Sequence, residues 1–394
     1  MAGTSSTNVL PLPNPENKTN DSHTLVVGDG GVYTTIAAAC AAATALTPVA
    51  ASPVTIEIRP GTYTEEITLP AYVNLVGTGG GWTAIHVVAP ALSSRCILLP
   101  SVVSTNAITG IDFIFNTAQA APAPNATIFE FQNAATVGTL EITQCRIEYN
   151  QAATAPATST QMITNVFPNK TLVVDTCVCS MAGVDEVKDT DIIGFGNSGG
   201  VLVVTQTSIT IIAGASASGG ELRAVYCTDN DANTSVSTCR ITVTGAALTT
   251  ICAGVHIDTE PTVRSDVLMS KIDVSGSGGA LYGVWWSPAN TACAGLQVNG
   301  CSLAVISSVA GSDSYGVYCS LANPDTGYNT CAGVAFNVQG VVSATNITNI
   351  LCFGCEDIIA TTVLSHTGVP GVTHGAADAT IATFVGGVTT VLAP

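Results

Sequence analysis

Charge is scarce in this chain. Of 394 residues only 10 are Lys or Arg and 27 are Asp or Glu, 9% in all, against roughly a quarter in ordinary globular domains. Coupled with 47% hydrophobic residues, that scarcity excludes disorder over most of the chain, because disordered segments pair low hydropathy with high charge. Positive charge is the scarcer sign. A net charge of −17 without a Lys/Arg cluster excludes nucleic acid and anionic lipid as partners. No apolar run is long enough to cross a bilayer, so no helix of the sequence is expected to insert into a membrane. Residues 1–20 are polar and proline-interrupted, with no basic stretch leading into an apolar one. The expectation is synthesis in the cytosol without a signal peptide, followed by use in a virion or another extracellular assembly.

What is present instead is Thr, Ser and Asn for the surface and a repeat for the interior. Thr139-Leu-Glu-Ile-Thr-Gln-Cys145 matches Thr171-Leu-Val-Val-Asp-Thr-Cys177 and Val201-Leu-Val-Val-Thr-Gln-Thr207, and the plan continues to Cys239, Lys271 and Cys301. The step from each of these positions to the next is nearly constant. Backwards the register reaches Ile111 and Gly77; forwards it reaches Val341 only after a distinctly longer step, which suggests an insertion in one coil. A second marker keeps the same period: Arg223-Ala-Val225-Tyr-Cys, Ala253-Gly-Val255-His-Ile, Tyr282-Gly-Val284-Trp-Trp, Tyr315-Gly-Val317-Tyr-Cys and Thr348-Asn-Ile350-Leu-Cys.

Each block holds two or three short β-branched runs bounded by Gly, Asn, Asp or Pro, with no room for a crossover helix. Parallel pairing without helices requires each strand to stack on its equivalent one coil later, about 4.8 Å away. The expected fold is therefore all-β: a single-stranded right-handed parallel β-helix of about nine coils of roughly 31 residues. A short α-helix starting at Thr34 or Thr35 should cap its first coil, because raw strand edges must be covered. The expected organisation is an extended arm over 1–23, a strand and capping helix over 24–53, coils over 54–360, and a last coil or subunit-contact segment over 361–394. The arm should fray unless it packs on a neighbour.

Fourteen cysteines are not needed to staple a chain this long. Cys145, Cys177, Cys239 and Cys301 fall on one repeat position, which reads as a buried, reduced, small hydrophobe. Cys352-Phe-Gly-Cys355 is a lone CxxC, read as structural thiols or a local disulfide. Gly196-Asn-Ser198-Gly-Gly200 satisfies GxSxG, but a strand pattern follows where a nucleophile elbow needs a helix, so it reads as a turn. No cofactor and no metal are expected.

The opening Leu25-Val-Val-Gly-Asp-Gly-Gly-Val-Tyr-Thr-Thr-Ile-Ala-Ala-Ala-Cys40, then Ile56-Glu-Ile-Arg-Pro-Gly61-Thr-Tyr63-Thr-Glu65, Val73-Asn-Leu-Val-Gly77 and Gly110-Ile-Asp-Phe-Ile-Phe-Asn116, resembles the pectin-lyase-like superfamily, pectin methylesterases in particular. The resemblance spans roughly residues 24–150 and implies the β-helix. It also implies a catalytic set of two aspartates, two glutamines and an arginine, which this chain does not match. Neither Thr127-Ile-Phe129 nor Tyr149-Asn-Gln-Ala152 supplies its residue, Asp191-Ile-Ile-Gly-Phe-Gly-Asn197 is one residue too long, and no Arg-Pro-Trp follows. The leaning is therefore against an enzyme.

Two functions remain. The first is a non-enzymatic structural or assembly protein, a capsid, spike or fibre component of a virion, whose partners are copies of itself or other structural subunits; β-helices of the resembled superfamily occur in phage tailspikes. The alternative is a carbohydrate-binding or carbohydrate-cleaving β-helix. Its candidate site follows the second marker: Asp229 and Asp231, then Asp258 and Glu260 one coil on, with Trp286 as an exposed sugar platform. Stacked carboxylates about 5 Å apart would suit a retaining glycosidase or a Ca²⁺ ion, although Asp also simply fills tight turns.

Overall fold

The computed structural model describes residues 23–367 apart from 79–83, 91–94, 101, 118–124, 132–136, 152–158, 167, 185–190, 214–219, 229–231, 247–248, 259–264, 278, 288–295, 309–311, 320–328, 340–346, 353–354 and 360–361. Every strand pair in it is parallel and joins a strand to its equivalent one coil away, in three sheets of 12, 11 and 10 strands. These are sheet 1 (from Thr24–Val27 to Cys355–Ile359), sheet 2 (from Gly61–Thr64 to Thr362–Thr367) and sheet 3 (from Ile67–Thr68 to Ile347–Cys352). The chain visits them in the order 1, 2, 3. This is the expected right-handed parallel β-helix. Ten coils carry a strand in all three sheets rather than about nine, because the first coil is much shorter than the rest and closes early, Val54 already pairing with Val73.

Alternation drives the core. In sheet 1 the inward column Ile108, Ile142, Val174, Val204, Val236, Val267 and Val298 is essentially sealed from solvent. Burial alternates along the sheet 1 strands, as in Asn233–Ser237, where Thr234 and Val236 face in and Asn233, Ser235 and Ser237 face out. The helix α1 (Ile36–Ala45) covers the first coil with Ile36, Ala39, Cys40 and Ala43. Thr35 is its N-cap and accepts from the Ala38 amide at 3.2 Å. The Glu65 carboxylate of the Pro-Gly-Thr-Tyr-Thr-Glu run accepts the amides of Ile36 and Ala37 at 2.9 and 2.8 Å, stabilising the positive end of the helix.

Sheets 1 and 2 meet at a one-residue corner. Gly110, Gln144, Thr176, Gln206, Thr238, Met269, Gly300 and Gly333 all occupy positive φ there, turning the chain sharply. The residue after the corner forms the expected ladder, with three corrections, the first being that Gly77 falls opposite the corner residue Gly110 and not opposite Ile111. Arg240 pairs with Lys271 and Ser302 with Ala335, so the ladder runs Cys145, Cys177, Thr207, Cys239, Ser270, Cys301 and Val334, not through Lys271 and Val341. No insertion breaks that coil, since the step from Cys301 to Val334 is close to those before it.

The ladder is also not a plain hydrophobic column. Thiols and hydroxyls lie within bonding reach of the carbonyl two residues back: Cys177 Sγ to Asp175 at 3.2 Å, Thr207 Oγ1 to Thr205 at 2.8 Å, Ser270 Oγ to Leu268 at 2.8 Å. They also accept amides from the preceding coil, Cys177 N to Thr207 Oγ1 and Cys239 N to Ser270 Oγ, at 3.3 and 3.1 Å. The cysteines whose side chains are described, among them Cys40, Cys96, Cys145, Cys177, Cys179, Cys239 and Cys301, are buried thiols. Burial pushes the Cys177, Cys239 and Cys301 thiols up to about 11, which leaves them inert.

The GxSxG run is the expected turn. It joins Asp191–Asn197 of sheet 3 to Val201–Thr205 of sheet 1, and buried Asn197 bonds Gly200 and Thr234. Cys352 ends a sheet 3 strand and Cys355 begins a sheet 1 strand. The arm over residues 1–22 and the C-terminal segment after residue 367 lie outside the described residues.

Candidate functional site

The second marker builds the outer face of sheet 3. Val225, Val255, Val284 and Val317 form one inward column. The residue before each valine (Ala224, Gly254, Gly283, Gly316) drops out of the pairing in every coil while the register continues. Only a small residue fits: a Cβ on Gly254 would meet Ile272 Cγ2 at 2.3 Å and the Gly283 carbonyl oxygen at 2.7 Å. The irregularity shifts the phase of the strand, as bulges do, so the residues at −2 and +1 from each valine both belong to the outside.

Two outward columns result, Arg223, Ala253, Tyr282, Tyr315 and Tyr226, His256, Trp285, Tyr318. Tyr282 and Tyr315 form an apolar cluster separate from the main core, joined by Trp285 and Tyr318. Rings stack along the helix axis: Tyr226 on His256 at 5.0 Å, His256 on Trp285 at 3.7 Å and 2°, Tyr282 on Tyr315 at 5.2 Å. Tyr282 also stacks on Trp285 across the columns at 4.5 Å. The Arg223 guanidinium sits 4.0 Å over the Tyr226 ring and pairs with Glu221. The ring faces are spent on one another, and Tyr282, Tyr315 and His256 are themselves buried, which leaves Tyr226, Trp285 and Tyr318 as the partly exposed aromatics.

A polar row borders the aromatics, made of the first residue after each strand: Ser198, Thr228, Asp258 and Ser287. Asp258 is exposed. Its two oxygens accept from Ser287 Oγ at 2.7 Å and Tyr226 Oη at 3.2 Å. His256 Nε2 lies 3.0 Å from Ser287 Oγ. Burial, and secondarily the Arg223 charge, hold His256 well below the usual imidazole range, so the ring is neutral. With the Ser287 proton donated to Asp258, the network assigns the remaining proton to Nε2, which donates to Ser287. The order is therefore His256 to Ser287 to Asp258. A hydrolytic triad needs histidine in the middle as base, and here serine occupies that place with its proton already committed.

Asp258 is one candidate residue that the structure brings to this face. Asp229, Asp231 and Glu260 lie outside the described residues. Among the described residues the polar row holds no stacked carboxylate pair, because the positions one coil either side of Asp258 are Thr228 and Ser287, and no group of acidic, His or Cys side chains forms a metal site. Trp286 is a correction. Counting by twos from inward Val284 places it inside, where it is fully buried, and the partly exposed tryptophan is Trp285. The aromatics at −2 and +1 of the repeated Gly-Val were the missed signal, visible in sequence as Tyr282/Trp285 and Tyr315/Tyr318.

No protein-family model matches the sequence, and no curated protein matches it. Among solved structures, the chain is similar to the deglycosylated pectin methylesterase from Aspergillus niger, with 13% identity, 90% of this chain and 93% of that chain covered, and a TM-score of 0.35. It is similar to the Azotobacter vinelandii mannuronan C-5 epimerase AlgE6 A-module at 13% identity, covering 84% and 94%, TM-score 0.37. The catalytic domain of a GH87 alpha-1,3-glucanase aligns at 11% identity over 91% and 69%, TM-score 0.27. The likeness is one of fold. This chain is a right-handed parallel β-helix, and what it does has to be argued from its own side chains.

Proposed function

We propose that this β-helix is a carbohydrate-binding protein that holds neutral saccharide, without hydrolysing it, along the outer face of sheet 3. The observation that carries the reading is Asp258, an exposed carboxylate fixed by two hydroxyls at the rim of a stacked aromatic cluster. Saccharide hydroxyls donate to such a carboxylate and to the hydroxyl oxygen of Tyr226, whose own proton Asp258 holds, while apolar sugar edges lie against the rims of Trp285 and Tyr318. A few convergent polar groups on an apolar wall are the usual make-up of small-molecule sites. The net charge of −17 favours neutral over anionic glycans. Binding without cleavage is supported by the proton order at Ser287 and, among the described residues, by Thr228 and Ser287 flanking Asp258. Of the two functions expected from sequence, this one has a side-chain cluster behind it, and the capsid, spike or fibre role has none.

The test is binding of neutral oligosaccharides by the intact protein, Asp258→Ala and Trp285→Ala. Either substitution should weaken binding at least about tenfold, the equivalent of roughly 1.4 kcal/mol, while circular dichroism and melting still report a folded solenoid. Equal binding by Asp258→Ala and the parent, or release of reducing sugar by the parent, refutes the proposal.

A further inference from the structure

One outward column of sheet 2 reads Thr62, His86, Asp112 and Arg146 over four successive coils, each residue in register with the next. The order matters. On sheet 3 a serine stands between histidine and aspartate. Here histidine stands between a hydroxyl and a carboxylate, the arrangement a hydrolytic triad requires.

Asp112 is the anchor of the column. It is fully buried, its Oδ2 lies 2.9 Å from His86 Nδ1, and Arg146 Nη1 is 3.7 Å away. Glu148 holds Arg146 in turn. Asp112 Oδ1 is sealed without a hydrogen-bond partner among the described residues, a placement that costs stability and that a purely structural ion pair has no need of. An ionised carboxylate only accepts, so Nδ1 carries the shared proton and Nε2 is left as an acceptor. The His86 side chain is 33% exposed, and Nε2, on the ring edge away from Asp112, is the nitrogen able to meet a substrate. Thr62 is exposed on the neighbouring strand, about 4.8 Å off along the axis. Val88 and Ile114, in the next outward column, form a short apolar shelf beside the ring.

We infer that Thr62, His86 and Asp112 form an acyl-transfer site that takes short-chain carboxylic esters, such as acetyl esters of alcohols. His86 Nε2 takes the Thr62 proton as Oγ1 bonds to the acyl carbon, then passes it to the alcohol oxygen as the ester C–O bond breaks. Water next gives a proton to Nε2 and attacks acyl-Thr62, and the free acid leaves as Oγ1 regains its proton. Asp112 is a positioning residue, which fixes the ring's tautomer and faces the imidazolium that forms. Catalytic hydrogen bonds are commonly long before substrate binds and tighten around it, and the hydroxyl of Thr62 and the ring of His86 close in that way. The shelf of Val88 and Ile114 suits a short acyl chain. The site lies on a different sheet from the saccharide face and stands or falls independently of it.

The experiment treats the full-length protein with p-nitrophenyl acetate, follows nitrophenolate release and maps the acetylated peptides by mass spectrometry. The expected result is acetyl on the peptide carrying Thr62, lost in Thr62→Val and formed at least about a hundredfold more slowly in His86→Gln. Asp112→Asn should be slowed comparably, and the double variant no further than either single one, because residues acting as one unit are not additive. An Asp112 with a merely structural role would add its own loss. Thr62 and His86 lie on the outer face, so circular dichroism should report an unchanged solenoid in both variants. No acetyl on Thr62, any smaller loss in His86→Gln, or additive losses in the double variant overturn the inference.

Discussion

The same two outward columns of sheet 3 read very differently along the solenoid. In one coil they carry Ile193 and Gly196; three coils later they carry Tyr282 and Trp285 at the same register positions. Both coils fold, pair and seal the interior equally, with Phe195 and Val284 in the inward column. The aromatics are therefore not a requirement of the β-helix but a local addition to it. The corner ladder teaches the converse. There Cys, Thr and Ser interchange from coil to coil because each serves the backbone in the same way. Interchangeable residues mark the scaffold, and a run of unusual ones over four coils marks the site.

Inside and outside of one strand give the sharpest test of that contrast. Trp286→Ala, which empties the core, should cost about 3–5 kcal/mol, read as the urea midpoint. Trp285→Ala, one residue away, should cost less than half as much and act mainly on saccharide binding. Equal destabilisation by the two would mean that the outer cluster is part of the scaffold after all. The corner ladder comes next. Cys177→Val strands the carbonyls of Ile142 and Asp175 near its thiol and the amide of Cys145 behind it, a loss of roughly 1–3 kcal/mol, whereas Cys177→Ser keeps a donor and should cost under about 1 kcal/mol. A valine variant as stable as the serine one would restore the reading of this column as simple hydrophobe.

Much of the fold was legible because a solenoid writes its contacts at a fixed spacing. Cys145 and Cys177, one coil apart in sequence, are vertical neighbours, and Val225, Val255 and Val284 share one inward column. The register slipped at Lys271 and Val341 because the ladder position accepts Ser and Val as well as Cys, so a search for one residue type overshoots. The site was half legible. Asp258 stood out as a carboxylate after a strand, but simple alternation puts Tyr282 on the same face as Val284. The unpaired Gly283 between them separates the two, and nothing in a two-residue period announces that phase shift. What does announce it is the repeated Gly-Val flanked by aromatics.

Two buried ionisable groups on the outer faces should respond to pH in opposite directions. His256 titrates well below 6.5 because burial, then Arg223, disfavours its charge. The unfolded chain takes up that proton first as pH falls, so stability should drop as pH falls below about 6.5 and stop dropping once the folded value is passed. His256→Phe keeps a ring in the stack and removes the titration, so its stability should vary less than the parent's between about pH 6.5 and 4.5. An identical slope in both proteins would place the titrating group elsewhere.

Asp112 carries the opposite and smallest effect. Its side chain is buried on the outer face of sheet 2, with Oδ2 2.9 Å from His86 Nδ1 and 3.7 Å from Arg146 Nη1. Burial raises its carboxyl above 3.8, and the His86 bond and the two nearby cations offset only part of that. A raised acid binds its proton more tightly in the folded chain. The penalty for ionising it is therefore absent below the unfolded value and grows as pH rises through the folded one. Asp112→Asn removes the ionisation while keeping the shape, so the parent should gain on the variant as the solution is acidified towards pH 3.8 and lose ground above it. If the parent instead gains on the variant with rising pH, the pairing with His86 and Arg146 outweighs desolvation, and the order of causes at this carboxylate is reversed.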